Sequence, residues 1–111
     1  MDGETCETRF LSRSRDRTLG AMFQRGLGRR ILVFLYPRAE RRLFHTFFCP
    51  PLRILALSGE GERLQDGLWP KNRLVRLPAT RLVVECDPGL KLTPSDFRSI
   101  AAQAELLLAE V

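Results

Sequence analysis

From Arg30 to Cys86 the chain is a succession of short apolar runs, each cut by proline or glycine before it reaches helical length. That punctuation argues against a helical bundle and for many short strands. "RILVFLYP" (30–37) is continuous, β-branched and aromatic, and Pro37 closes it. It predicts a strand buried on both faces. "RRLFHTFFC" (41–49) predicts a second, stopped by Pro50 and Pro51, which cannot donate ladder hydrogen bonds. "LRILALS" (52–58) and "ERLQDGLW" (62–69) flank Gly59-Glu60-Gly61, a hairpin turn in which glycine supplies positive φ cheaply. After Pro70 and Asn72, "RLVRL" (73–77) and "TRLVVEC" (80–86) predict two more strands, ended by Asp87-Pro88-Gly89. The expected class is mainly β, a small antiparallel barrel or sandwich.

The two ends differ from this core. "TCETRFL" (5–11) alternates and predicts a first strand. In "SRSRDRTLGAMFQRG" (12–26), Leu19, Met22 and Phe23 share the face of a short N-terminal helix. Ser12 or Ser14 is its expected cap and Gly26 its stop, and Gly20 keeps it brief or irregular. At the other end Thr93 is an N-cap, Pro94 suits the first helical position, and Asp96 lies at the positive dipole end. Phe97, Ile100, Ala101, Ala104, Leu107, Leu108 and Val111 then form one apolar stripe of an amphipathic helix over about 94–110. The expected layout is a single domain, 1–111, with a β core over about 5–92.

Composition narrows the chemistry. No apolar run approaches the ~20 residues of a membrane helix, and "MDGETCETRF" lacks the basic start and apolar stretch of a leader, so a cytoplasmic protein with no membrane partner is expected. Cys6, Cys49 and Cys86 are widely spaced and fit free thiols better than a disulfide frame. With a single histidine they offer no metal cluster, and no cofactor is expected.

The segment from Arg17 to Gly89 resembles a family of prokaryotic proteins known as domain of unknown function 192. That family's pattern runs Arg-x-x-Gly-Leu-Met-Phe-Arg, an apolar "MLFVF" strand, "FWMKNTLIPLDIIF", a glycine-containing turn, and a strand ending in Glu-x-x-x-Gly. Here the corresponding stretches are "RTLGAMFQRGL" (17–27), "ILVF" (31–34), "LFHTFFCPPLRILAL" (43–57), "SGEGERL" (58–64) and "LVVECDPG" (82–89). The resemblance implies a small, mainly β fold and no established activity. Phe44 stands where the family has Trp and His45 where it has Met. Thr46, Phe47 and Phe48 replace Lys-Asn-Thr, and Arg53 replaces Asp. A polar cluster that could carry activity in relatives is therefore largely replaced, which argues against an enzyme.

Four residues are the candidate ligand site. Arg53 shares a strand face with Leu55 and Leu57 and so needs a partner, for which Glu85 is the candidate. His45 sits between apolar faces, so a partly buried, hydrogen-bonded imidazole is expected. Arg17 opens the family-like segment. A His45–Cys49 dyad is not expected, because four residues of extended strand span ~13 Å, far beyond hydrogen-bond reach. An imidazole, a thiol and a carboxylate converging on one open cleft would overturn the reading as an accessory module.

The charge distribution supports a second hypothesis. Residues 1–53 carry 11 arginines and five acids, whereas the remainder is nearly balanced. Within segment 9–42, Arg13, Arg15, Arg25, Arg29, Arg30, Arg41 and Arg42 are interleaved with Phe10, Phe23, Phe34 and Tyr36, a pattern that suits nucleic acid or another polyanion. Gly26-Leu27-Gly28 followed by Arg29-Arg30 lacks the third glycine and the helix of a phosphate loop. The sequence thus points to a non-enzymatic binding or accessory module for a small or anionic ligand, with nucleic acid as the alternative partner. Self-association through a sheet edge or the last helix is a further possibility.

Overall fold

The structure is a computed structural model that describes residues 6–109. Seven elements follow in order: β1 (Glu7–Leu11), α1 (Ser14–Leu19), β2 (Arg30–His45), β3 (Leu52–Leu57), β4 (Arg63–Trp69), β5 (Leu74–Cys86) and α2 (Pro94–Ala109). The strands form one mixed sheet in the order β1-β2-β5-β3-β4. The mainly β class with a short N-terminal and a longer C-terminal helix is as expected. The sheet is not closed into a barrel, and β1 runs parallel to β2. A parallel neighbour requires a crossover, which α1 and the loop after it supply. The other pairings are antiparallel, and β3 and β4 form the expected hairpin.

The strand boundaries differ from expectation in an informative way. Runs 30–37 and 41–49 merge into β2, which ends at His45, and runs 73–77 and 80–86 merge into β5. Pairing between them is interrupted from Leu35↔Leu82 to Glu40↔Thr80. Pro37 and Pro78 are tolerated near this gap because ladder hydrogen bonds lapse there. Thr80 spans the bend, its hydroxyl donating to Leu57 O and accepting from Leu82 N. Phe34 and Phe44 measure the fold-back. Ten residues apart, they would lie ~33 Å apart on a straight strand, yet their ring centroids are 5.2 Å apart, edge to face.

Alternation then distributes the core onto two faces. Ile31, Val33, Leu35, Leu55, Leu57, Val84 and Cys86 pack under α2 against Phe97, Ile100, Ala101 and Ala104. Leu32, Phe34, Ile54 and Val83 pack on the other face, beneath Ala21, Leu27 and Cys49 and the folded-back Phe44, Val75 and Leu77. Burial on both faces is why 31–35 reads as an uninterrupted apolar run.

α2 begins as expected. Thr93 Oγ1 accepts from Asp96 N at 3.2 Å, and Asp96 Oδ2 accepts from Thr93 N at 2.7 Å, a reciprocal cap. Val111 of the expected stripe lies outside the described residues. The N-terminal helix is shorter than expected. It is capped by Arg13 without a side-chain hydrogen bond and stops at Gly20, where φ is 44°. Met22 and Phe23 therefore leave its face, and Phe23 is 73% exposed rather than part of a core. Among the described residues no helix is long and apolar enough to cross a membrane.

Candidate functional site

The folded-back half of β2 and the segment 14–22 enclose a cleft of about 380 Å³. Its walls include Met22, Phe34, Tyr36 and Phe44, and its polar lining includes Arg17, His45, Cys49 and Glu85. A cleft of this size that combines aromatic and apolar walls with several convergent polar groups can take a small molecule.

Glu85 lies at the floor, 3% exposed, and its Oε1 has no hydrogen-bond partner. Burial pushes its carboxyl up to about 8, against the opposing pull of the Ala21 amide, so it holds its proton at neutral pH. Gly20 packs closely over this oxygen: a β-carbon there would sit 3.5 Å from Oε1 and only 2.8 Å from Phe34 Cζ, so the floor admits no side chain at this position.

Arg17 is tied to the wall by Nη1, which donates to Ser12 O at 2.9 Å and Leu35 O at 2.7 Å. Its guanidinium lies 4.8 Å from the Tyr36 ring centre, and Arg42 lies 3.6 Å from the same ring. Both contacts fall within cation–π range. Burial outweighs the two cations at the Tyr36 phenol and pushes it up to about 12.

His45 is partly buried, as expected. Its ring stacks on Phe47 at 5.4 Å, and Nδ1 accepts from Phe47 N at 3.3 Å. The expected separation of His45 from Cys49 fails because the chain turns at Phe47–Phe48 instead of continuing as a strand. Imidazole, thiol and carboxyl therefore do line one cleft, the arrangement that counts against an accessory module. They form no catalytic triad, since among the described residues no hydrogen bond links them. Cys49 Sγ donates to Phe47 O at 3.4 Å, and burial pushes the thiol up to about 11, which suppresses the nucleophilic thiolate.

Backbone beside the cleft residues Met22 and Cys49 is held in a conformation that non-glycine residues seldom adopt. Phe23, Phe48 and Asn72 are the non-glycine residues with positive φ among those described. They occupy three loops joined by Phe23 N donating to Phe48 O at 2.7 Å and Asn72 N donating to Thr46 O at 3.2 Å. Buried Thr46 adds a hydroxyl bond to Pro70 O at 2.7 Å. Strain of this kind persists where surrounding contacts enforce it, and it concentrates at functional sites.

Arg53 does not belong to the cleft. It pairs across the ladder with Cys86, whereas Glu85 pairs with Ile54, so Arg53 and Glu85 face opposite sides of the sheet. Its partner is Asp66, to which Nε and Nη2 donate at 2.9 and 2.7 Å. The alternative set of arginines comes from four separate stretches of the chain. Arg13 and Arg15 lie at α1, Arg25 in the following loop, Arg29 and Arg30 where β2 begins, and Arg41 and Arg42 near its end. Arg30 is turned onto the carbonyls of Gly26 and Leu27, and Arg42 onto those of Arg38 and Glu40.

Solved structures share this fold. One, described as a "putative transcription regulator" from Sinorhizobium meliloti 1021, matches with a TM-score of 0.66 and 15% identity over 74% of this chain and 68% of that one. A protein of unknown function from Novosphingobium aromaticivorans DSM 12444 matches with a TM-score of 0.65 and 18% identity over 89% of this chain and 68% of that one. At these identities the likeness extends to the fold alone. No protein-family model and no curated protein matches the chain.

Proposed function

We propose that the chain is a binding module that takes a small organic ligand in the cleft between α1 and the folded-back half of β2. The observation that carries this function is the unpartnered Glu85 oxygen on the cleft floor. A buried polar atom without a partner costs about 1–3 kcal/mol, and a ligand that reaches it relieves that cost. Arg17 and His45 supply the other polar contacts. In the pattern of domain of unknown function 192 that the sequence resembles, the Glu-x-x-x-Gly strand end falls at Glu85 and Gly89.

Three aromatic probes of similar size, benzoate, benzamide and benzylamine, test the proposal in ¹⁵N-labelled protein. At least one is expected to shift the amides of Arg17, Ala21, Phe34 and His45. Silence of those amides with all three overturns it.

A second function rests on the same carboxyl. A group that keeps its proton at neutral pH in an apolar cleft is poised to act as a general acid. Hydrolysis of p-nitrophenyl acetate above the buffer rate, lost in E85A, would establish an enzyme. A rate equal to buffer removes ester hydrolysis from consideration.

A further inference from the structure

We propose that the ligand is a small apolar or aromatic monocarboxylate whose carboxylate pairs by a hydrogen bond with the unpartnered Glu85 carboxyl group, with Arg17 stabilising its charge from the cleft wall. This inference rests on the cleft being a binding site and goes further by fixing the ligand's charge and its link to protons.

The charges on the cleft favour an anion. Glu85 is the only acid among the lining residues, and it is neutral at pH 7. Arg17 is a permanent cation on the wall. Only its Nη1 is taken up by carbonyls, so Nε and Nη2 hold no hydrogen bond among the described residues. Arg42 adds a second positive charge behind Tyr36. An amine would meet this positive field and would require Glu85 to ionise in a site that opposes ionisation. A carboxylate gains a charge-assisted O–H···O⁻ bond, shorter and roughly twice as strong as a neutral one. Phe34, Tyr36, Phe44 and Met22 provide apolar contact for the body, and about 380 Å³ suits a ring with a short substituent.

The proton makes the inference testable. The groups facing Glu85 are Arg17 from α1, Tyr36 and His45 from β2, with Arg42 behind Tyr36, and Cys49 from the following turn, while Cys86 adjoins it on β5. Cys49, pushed up to about 11, and Tyr36 and Cys86, each to about 12, change charge little between pH 7 and 9.5. Over that range Glu85 loses its proton, and a carboxylate would then face another carboxylate.

The experiment titrates benzoate, benzamide and benzylamine at pH 7 and 9.5, following the amides named above. Benzoate is expected to bind best at pH 7 and about 30-fold more weakly at pH 9.5, as one proton lost near pH 8 requires. E85Q, which keeps a neutral donor, is expected to bind benzoate with no dependence on pH across this range. H45Q is expected to retain the dependence, whatever its affinity. Benzylamine binding that strengthens with pH, benzamide binding as tightly as benzoate, or a dependence that follows His45 overturns the carboxylate assignment while leaving the binding site standing. Silence from all three probes overturns both.

Discussion

Arg53 and Glu85 sit one register step apart on paired strands, and that step places them on opposite faces of the sheet. Arg53 lies on the α2 side, 6.0 Å from the Phe97 ring centre, and is held by Asp66. R53M is therefore expected to leave benzoate binding in the cleft within about twofold of the parent, as distant sites act independently. Both R53M and D66N are expected to lower stability by about 1 kcal/mol, measured by urea unfolding at pH 7. The Arg53 hydrogen bond holds the Asp66 carboxyl below its usual range. Its stabilisation is present above the unfolded-state value and is lost as pH falls through the folded one. The gap between parent and D66N should begin to narrow as pH falls below the unfolded-state value of about 3.9.

Glu85 has the opposite linkage. Its folded carboxyl titrates near 8, above the unfolded value of roughly 4.3. Its contribution is full below the unfolded value and is lost as pH rises through the folded one, at a slope approaching 1.4 kcal/mol per pH unit. The stability of E85Q relative to the parent should rise from pH 5 to pH 8 and then level off. A flat difference across that interval contradicts a neutral Glu85.

The thiols should separate cleanly. Cys6 is partly exposed, whereas Cys49 and Cys86 are buried and pushed up to about 11 and 12. Iodoacetamide at pH 7.5 is expected to label Cys6 in the native protein, and Cys49 and Cys86 only after unfolding, as read by peptide mass. Rapid native labelling of Cys49 would expose an activated thiol and reopen the case for covalent chemistry.

Two of the seven candidate arginines are turned onto backbone carbonyls, which predicts weak coupling to nucleic acid. If all seven gripped one single strand, log K would fall with log salt at a slope of about −5. A shallower slope than about −2 is expected for a poly-thymidine oligonucleotide, since Arg30 and Arg42 are spent on backbone carbonyls. The steeper value would restore the polyanion alternative.

Much of the fold was legible along the chain. The Thr93-Pro94 start and apolar stripe of α2 follow from helical periodicity and capping, which are local. The turn at 59–61 follows from glycine. The two long strands were harder, because Pro37 and Pro78 signal a stop wherever ladder hydrogen bonds are required. Here those bonds lapse at a bend.

For the site, sequence grouped Arg17, His45, Arg53 and Glu85, and the structure lines the cleft with the first two and Glu85 while turning Arg53 to the other face. Cys49 was excluded on a straight-strand distance that the turn at Phe47–Phe48 removes. Short-range chemistry thus determined the residue types, the helix ends and the apolar runs, because those depend on neighbours three or four positions away. Tertiary structure alone decided that Phe34 meets Phe44, that Arg53 and Glu85 part company, and that a carboxyl is buried beside an open cleft. Each of those outcomes depends on strand register and on a fold-back of the sheet, and neither is encoded within the span of a turn.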